Sequence, residues 1–330
     1  MNKQAVIQAV LKNRPSVPGA QGIAFAPANI ALVKYWGKRD EELNLPVTAS
    51  LSVSLGQLGS KVSIRPTAGN DTVTLNGRRL EAESSFVRRL TGFFDLFRTG
   101  PAIRFAVEAE NTIPTAAGFA SSASGFAAVV LALNDLFGWK LERRELSILA
   151  RLGSGSACRS LYDGFVEWHA GEQKDGMDSF AEPLSATWPD LRMGLLIITT
   201  EEKATGSRAG MIQTTASSPL YAAWPTTVAR DLATVRQAIV DHDFPTLGKT
   251  AEGNALAMHA TMIAARPPLL YWKPESIAAM RRIWTLRDKG LPLYFTMDAG
   301  PNVKLIFETQ HTAEVKAAFP EVQIVAPFAG

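Results

Sequence analysis

The sequence predicts an α+β fold in two domains. At 330 residues the chain is longer than one hydrophobic core usually organises. Hydrophobic residues make up 46% of it and charged residues 20%, as in ordinary globular proteins. Strand-like and helix-like segments are interspersed without a regular βαβ rhythm, which favours α+β over a doubly wound parallel sheet. Because the composition becomes loop-like near 183–189, we expect domains at 1–189 and 190–330.

The elements of the first domain follow from hydrophobic periodicity and turn signals. Residues 2–13 indicate a short amphipathic helix or a loose extension, and Asn76-Gly77 is typical of a hairpin turn. Phe86, Leu90 and Phe93 recur at helical spacing, whereas the segment after Ser121 is apolar nearly all round, which predicts a buried helix. In chain order we predict strands at 21–27, 50–56, 60–65 and 72–76, a helix at 84–98, a strand at 103–108, helices at 121–136 and 144–152, and a strand at 165–168.

The second domain begins with a strand at 193–199. Three long segments of helical periodicity and three short apolar runs follow it. The predicted elements are helices near 220–242, 246–264 and 274–289 and strands near 292–297, 302–307 and 322–326.

Charge and cysteine content exclude several classes of protein. A net charge of +3 is too small for a clustered basic face that binds nucleic acid. Cys158 is the only cysteine, so no intrachain disulfide can form and a reducing compartment is expected. The longest apolar run, Phe126 to Leu133, is far below the roughly 18 residues of a membrane span. The N-terminus has no signal-type apolar core. We expect a cytoplasmic protein with no membrane or nucleic-acid partner.

Motifs for metals and dinucleotides are incomplete. Gly248-Lys249-Thr250 resembles the end of a phosphate-binding loop, but Asp243 stands where its first glycine belongs. Gly153-Ser154-Gly155 lacks the third glycine of a dinucleotide fingerprint, because Cys158 occupies that position. The histidines lack zinc-ligand spacing, so no metal site built from side chains is expected; they are His169, His242, His259 and His311.

Two glycine- and serine-rich segments could bind phosphate. Asn111 to Ala123 is a loop of small residues that enters a helix, whose free N–H groups and dipole suit an anion. The alternative is a well-capped buried helix. In Gly153 to Ser160, Arg159 lies about one turn into a second small-residue helix start and could clamp a carboxylate or phosphate. The alternative is an arginine on a solvated helix face.

Two further segments carry charges beside apolar residues. Lys34-Tyr35-Trp36-Gly37-Lys38 places two lysines four residues apart beside aromatic side chains, which suits an anionic substrate. Exposed lysines are nevertheless common. Asp298 ends an apolar strand before a Gly-Pro turn; if it is buried, it needs a cationic neighbour. The alternative is a turn aspartate that bonds its own backbone.

Taken together, these segments resemble the mevalonate diphosphate decarboxylase family of the GHMP kinase superfamily. The matching stretches are Ala26 to Arg39, Asn44 to Pro46, Pro114 to Gly125, Gly153 to Ser160 and Asp298 to Asn302. The resemblance extends over nearly the whole chain. It implies a two-domain GHMP kinase fold, with a ribosomal-protein-like N-terminal domain and a C-terminal GHMP α/β sandwich. It also implies ATP-dependent decarboxylation of mevalonate 5-diphosphate to isopentenyl diphosphate, with Mg²⁺, in a homodimer.

The resemblance implies a role for each matching residue. Asp298 would accept or orient the proton of the 3-hydroxyl, Lys34 would hold its charge, and Arg159 with Asn29 would bind the substrate carboxylate. The substrate diphosphate would contact Tyr35, Lys38, Ser154, Ser156, Ser207 and Arg208. The ATP phosphates would contact Pro114, Ala117, Gly118, Ala120, Ser121, Ser122 and Ser124.

Three alternative functions are weighed against this interpretation. A decarboxylase of mevalonate 5-monophosphate would share Asp298, Lys34 and Arg159, but Lys38 and Arg208 favour the diphosphate. A plain GHMP kinase would lack the complete aspartate, lysine and arginine set. A non-catalytic binding protein on this fold is disfavoured by the intact candidate catalytic residues.

Overall fold

The computed structural model describes residues 2–98, 100, 103–113, 122–201 and 203–328. Among these residues, no helix combines the length and apolar character that a membrane crossing requires.

The first half of the described chain forms a seven-stranded sheet with helices packed on it, and a two-stranded hairpin made by β2 and β3. The sheet order is β6-β5-β7-β4-β8-β9, and β1 pairs with β4. A 3₁₀ helix, Gly155–Leu161, connects α4 to β8. The elements are α1 (Lys3–Val10), β1 (Gly22–Val33), β2 (Lys38–Asp40), β3 (Leu45–Pro46), β4 (Ser50–Thr67), β5 (Thr72–Leu75), β6 (Arg78–Arg79), α2 (Ser85–Phe94), β7 (Arg104–Asn111), α3 (Ser122–Phe137), α4 (Arg143–Gly153), β8 (Phe165–Trp168) and β9 (Ala181–Pro183).

Strand β4 corrects one prediction. The two strands expected at 50–56 and 60–65 are a single strand of 18 residues. Gly56 adopts a positive φ of 57°, and the pairing of β1 with β4 changes register between Pro27 and Asn29. The irregularity bends the strand without ending it, as a bulge does. β1 likewise continues past Pro27 to Val33, six residues beyond the predicted end, because a proline is tolerated where the ladder is irregular.

The second half contains a four-stranded antiparallel sheet within the described residues, in the order β11-β12-β10-β13. The predicted long helices and strands are confirmed, whereas α5 and α9 were missed. Serine and threonine are weak helix formers, and in α5 the hydroxyls of Thr214 and Thr215 bond back to the carbonyls of Gly210 and Met211. The elements are β10 (Leu191–Leu196), α5 (Ser207–Ser217), α6 (Trp224–Asp241), α7 (Phe244–Ile263), α8 (Pro274–Asp288), β11 (Tyr294–Met297), β12 (Val303–Glu308), α9 (Thr312–Ala318) and β13 (Gln323–Val325).

One hydrophobic core joins the two halves. Ile30 and Leu32 of β1 pack in the same buried cluster as Val235 of α6 and Leu247 of α7. Helices α6 and α7 contact β1 from the other half. This packing brings the C-terminal end of β1 next to the C-terminal end of β11, where the candidate site lies.

Candidate active site

The Asp298 carboxylate lies at the centre of the site, immediately after β11. Nζ of Lys34 donates to its Oδ1 at 2.9 Å, and Nζ of Lys304 lies 3.2 Å from its Oδ2. Loss of solvation in the cleft opposes ionisation, but the two ammonium groups hold the pKa of Asp298 far below its usual value. The carboxylate is therefore ionised, and 49% of its side-chain surface remains exposed to the cleft. Asp298 is thus only half-buried, and it has two cationic neighbours.

Lys34 is buried, and both its ammonium group and its backbone N–H are hydrogen-bonded. Its Nζ also donates to the Ala31 carbonyl at 2.7 Å, and its backbone N–H donates to Oδ1 of Asn254 at 2.8 Å. Asn254 in turn donates to Oδ2 of Asp231. Burial lowers the pKa of Lys34 to about 8, although the negative charge of Asp298 opposes the shift. The ammonium is thus rigidly placed and titrates close to neutrality.

Arg159 is 3% exposed, so the alternative of a solvated arginine is wrong. Its guanidinium donates to the Ser50 hydroxyl and, from Nε at 3.4 Å, to Oδ1 of Asn29. Burial lowers the pKa of Arg159, whereas the charge of nearby Asp298 raises it. Asn29 directs its amide nitrogen to the Ser160 hydroxyl at 2.7 Å, which leaves its oxygen for Arg159. These contacts make Arg159 a fixed cation beside the Asp298 and Lys34 pair.

Arg159 and Ser156 belong to the 3₁₀ helix, which is the helix expected to start in this segment. The Ser156 carbonyl accepts a weak bond from Nδ2 of Asn29 at 3.4 Å. Tyr35 packs against this segment, edge-on to Trp168 at 4.7 Å between ring centroids. Gly155 allows the approach, because a Cβ there would lie only 3.0 Å from the Tyr35 hydroxyl. That hydroxyl is buried and has no partner among the described residues.

The two serine-rich segments meet at the start of α3. The Ser122 and Ser154 hydroxyls are 3.2 Å apart, which brings two separately predicted phosphate segments together. Ser124 is buried, and its hydroxyl lies 2.8 Å from that of Ser60. It therefore supports the helix from inside. The remaining predicted nucleotide contacts lie outside the described residues; they are Pro114, Ala117, Gly118, Ala120 and Ser121.

A second group of cations lies where β2 meets α5. Nζ of Lys38 bonds Oε2 of Glu41 at 3.1 Å, and Arg208 donates to the Glu41 carbonyl at 3.1 Å. Burial and the Arg208 charge lower the pKa of Lys38. Ser207 begins α5, and its hydroxyl accepts a bond from Lys203 at 2.9 Å. Glu41 pairs with Lys38 and Arg208, which form a group separate from the lysines that contact Asp298.

Three cations near the site were missed by the sequence analysis. Lys304 interrupts an apolar strand, a signal that could have identified it. Lys203 donates to the Ala299 carbonyl at 2.7 Å and lies near Asp298. Arg89 of α2 lies near Arg208. Burial lowers the pKa of Arg89, and the positive charge of Arg208 lowers it further. Nothing in the local sequence around Lys203 or Arg89 distinguishes them from surface cations.

An apolar cavity opens beside Ser122 in the first half of the chain. Val73, Phe86 and Leu90 line it on one side, and Asn111 stands at its edge.

Comparison with known proteins identifies the relatives of the chain. The Diphosphomevalonate decarboxylase-like N-terminal domain matches residues 26–181, and the Mevalonate 5-diphosphate decarboxylase C-terminal domain matches residues 194–326. The human diphosphomevalonate decarboxylase is 38% identical over 324 residues, covering 91% of this chain and 80% of that protein.

Solved structures agree with the fold described above. Mevalonate diphosphate decarboxylase from Staphylococcus aureus has a TM-score of 0.87 at 37% identity, covering 94% of this chain and 96% of that one. MDDEF in complex with MVAPP, AMPPCP and magnesium also has a TM-score of 0.87, at 40% identity, covering 93% and 96%. The two-domain α+β fold expected from the sequence is confirmed.

Proposed function

The chain belongs to the diphosphomevalonate decarboxylase family, and we propose from this premise how its residues carry the ATP-dependent decarboxylation of mevalonate 5-diphosphate. The observation that carries the proposal is the ionised Asp298 carboxylate, bonded by Lys34 at 2.9 Å beside the buried Arg159. A paired carboxylate next to a fixed guanidinium suits a substrate that has a hydroxyl and a carboxylate on neighbouring carbons.

Asp298 orients the 3-hydroxyl in the first stage. It accepts the hydroxyl hydrogen bond, and the oxygen of that hydroxyl attacks the γ-phosphorus of ATP, so that a new O–P bond forms and ADP leaves. The proton passes to Asp298 or to solvent. In a loose transition state the base needs little strength, so orientation by a weakly basic carboxylate is sufficient. Lys34 keeps the carboxylate charged and in place.

Arg159 and Asn29 act in the second stage. The C–O bond to the new phosphate breaks, inorganic phosphate leaves, and the electrons of the carboxylate C–C bond form the double bond as CO₂ is released. Arg159 provides parallel donors that hold the substrate carboxylate before the bond breaks. Asn29 fixes the guanidinium, because its oxygen faces Arg159 while its nitrogen bonds Ser160.

ATP and Mg²⁺ are the cofactors of the enzyme. Mg²⁺ bound with the nucleotide neutralises phosphate charge during the transfer. This ion usually keeps several waters and binds through phosphates and one or two protein oxygens. The adjacent Ser122 and Ser154 hydroxyls are neutral donors for the phosphates and oxygen ligands for the ion. We assign the loop at 114–121 to the phosphates from its small-residue sequence.

The diphosphate tail is assigned to the cations around Glu41. Lys38 and Arg208 converge there with Arg89 nearby, and a diphosphate offers them more negative charge and more acceptor oxygens than a monophosphate. Tyr35, Ser154, Ser156 and Ser207 complete the assignment as neutral donors. This surplus of cations supports the diphosphate over the monophosphate.

The direct test is to incubate the purified protein with ATP, Mg²⁺ and each form of mevalonate, and to follow ADP and CO₂ together. We expect equal amounts of both from mevalonate 5-diphosphate. ADP without CO₂ would contradict decarboxylation, and CO₂ from the monophosphate alone would move the substrate assignment.

We also propose a domain boundary, an oligomeric state and a cellular location. We place the domain boundary between residues 189 and 190, just before β10. Homodimeric assembly is proposed from the family resemblance, and a cytoplasmic location from the presence of Cys158 as the only cysteine. Light scattering at several protein concentrations tests the dimer, and fractionation of the native cells tests the location.

A further inference from the structure

Lys304 contacts the carboxylate oxygen of Asp298 that Lys34 leaves free. Lys34 Nζ lies 2.9 Å from Oδ1, and Lys304 Nζ lies 3.2 Å from Oδ2. Each oxygen thus has its own ammonium group, contributed by a different half of the chain. We propose that Lys304 is a positioning residue of the reaction, which fixes the orientation and basicity of Asp298 through Oδ2. This inference rests on the proposed role of Asp298.

The strand pairing explains why Lys304 reaches the site. Thr296 and Lys304 are opposite each other in the β11–β12 ladder, so their side chains share a face of the sheet. On that face the Thr296 hydroxyl donates to the Ala31 carbonyl, which also accepts the bond from Lys34. Lys304 therefore reaches the same carboxylate as Lys34 and contacts its other oxygen.

The backbone also helps to hold the ammonium group of Lys304. Its Nζ also donates to the Asn302 carbonyl at 3.3 Å. The Asn302 side chain accepts the backbone N–H groups of Ile198 and Thr199, which ties the start of β12 to the end of β10. The Lys304 side chain is 19% exposed, so it is less free to turn away than an ordinary surface lysine.

A carboxylate held at one oxygen can rotate, whereas one held at both cannot. Two ammonium partners also make Asp298 a weaker base, because the ionised form is stabilised twice. A weakly basic, rigid carboxylate suits a loose phosphoryl transfer, in which positioning contributes more than proton removal. When the substrate hydroxyl takes Oδ2, Lys304 stays beside the oxygen that receives the phosphoryl group.

Other charged and titratable groups also lie near Asp298 and contribute to its electrostatic environment. Arg159 and Lys203 add positive charge near Asp298. The ring N–H of His259 donates to the Asp298 carbonyl at 3.0 Å, and burial lowers its pKa to about 4, so it is neutral near pH 7. Lys304 is thus one of several cations, but together with Lys34 it makes the direct contacts with the carboxylate among the described residues.

The test compares Lys304→Met and Lys304→Arg with Lys316→Met, a matched change of an exposed lysine in α9. We expect Lys304→Met to lower kcat about tenfold or more, with both KM values within about threefold, because the lost contact acts on the transition state. Lys304→Arg should recover most of the loss, and Lys316→Met should match the parent. A parental kcat in Lys304→Met would overturn the proposal, and thermal melting shows whether each variant is folded.

Two further measurements separate positioning from a merely structural role. In an Asp298→Asn background, Lys304→Met should cost less than about twofold, since the residue it acts through is gone. The apparent pKa of the alkaline limb of the pH–rate profile should rise by roughly half a unit in Lys304→Met and stay unchanged in Lys304→Arg. The reason is that the charge of Lys304 lowers the pKa of Lys34. An undiminished loss in the Asp298→Asn background, or an unmoved limb, would overturn the proposal. Failure of the parent enzyme to release CO₂ would instead contradict the proposed function.

Discussion

Asp298 and Lys34 form a 2.9 Å ion pair although 264 positions separate them in the sequence. Each residue directly follows a buried strand, Lys34 after β1 and Asp298 after β11. The two strand ends are brought together by the core that β1 shares with α6 and α7. The pair therefore depends on the packing of the two halves against each other.

Asp298→Asn should reduce turnover to a small residual rate and leave nucleotide binding largely intact. The amide has the same shape but cannot accept the hydroxyl proton or pair with Lys34, so we expect kcat to fall at least about 10³-fold. ADP and CO₂ release measure turnover, and a fluorescent nucleotide measures binding. Asp288→Asn, an exposed residue at the end of α8, is the control. Near-normal turnover would remove Asp298 from its role.

Activity should decline above about pH 8 as Lys34 loses its proton. Burial lowers the pKa of Lys34 to about 8, so its ammonium is present below that pH and is lost as the pH rises through it. Asp298 opposes the shift, whereas Lys304 and Arg159 add to it. The measurement is kcat against pH with saturating substrates. A profile that stays flat to pH 10 would show that Lys34 is not required as a cation.

Arg208→Met should weaken binding of the diphosphate selectively. Loss of one phosphate contact should raise KM for mevalonate 5-diphosphate about tenfold or more, with a smaller effect on the monophosphate and almost none on ATP. Steady-state kinetics with the three ligands measure this, and Arg281→Met on the exposed surface of α8 is the control. Equal losses for both mevalonate forms would assign Arg208 to a general structural role.

Arg236→Met should destabilise the protein without altering the chemistry. Arg236 of α6 pairs with the carboxylate of Glu167 in β8, which is 1% exposed. Removing the cation leaves a buried charge with its main partner lost, so we expect a cost of about 1–3 kcal/mol in the free energy of unfolding. Urea unfolding monitors this loss. Unchanged stability would show that His169, 3.4 Å from Glu167, compensates for the loss.

Much of the site could be predicted from local sequence. Small residues at 153–156 and 122–124 predict close backbone approach to phosphate, because they leave the helix starts uncovered. An aspartate at the end of an apolar strand raised the question of a cationic partner, which the sequence alone left open between an ion pair and a turn aspartate. The family resemblance joined these segments into one reaction, which neither spacing nor composition could do.

Other features depended on contacts that no local pattern contains. The joining of two predicted strands into β4 depends on pairing with β1, β7 and β8 along its length. Helix α5 contains several weak helix formers among its serines, threonines and glycine, and the burial of Met211 and Thr214 helps to hold it. Lys304 is one polar residue in an apolar strand, and its partner is known only from the fold.

By itself, then, the sequence determined the residue types, the strand and helix periods and the family to which the chain belongs, because these depend on local chemistry and order. The tertiary structure alone decided that Lys34 and Lys304 contact different oxygens of Asp298, and that Arg159 is buried rather than solvated. The physical reason is that ion pairing and burial depend on distances between residues far apart in the chain. Only the packing of the two halves around their shared core sets those distances.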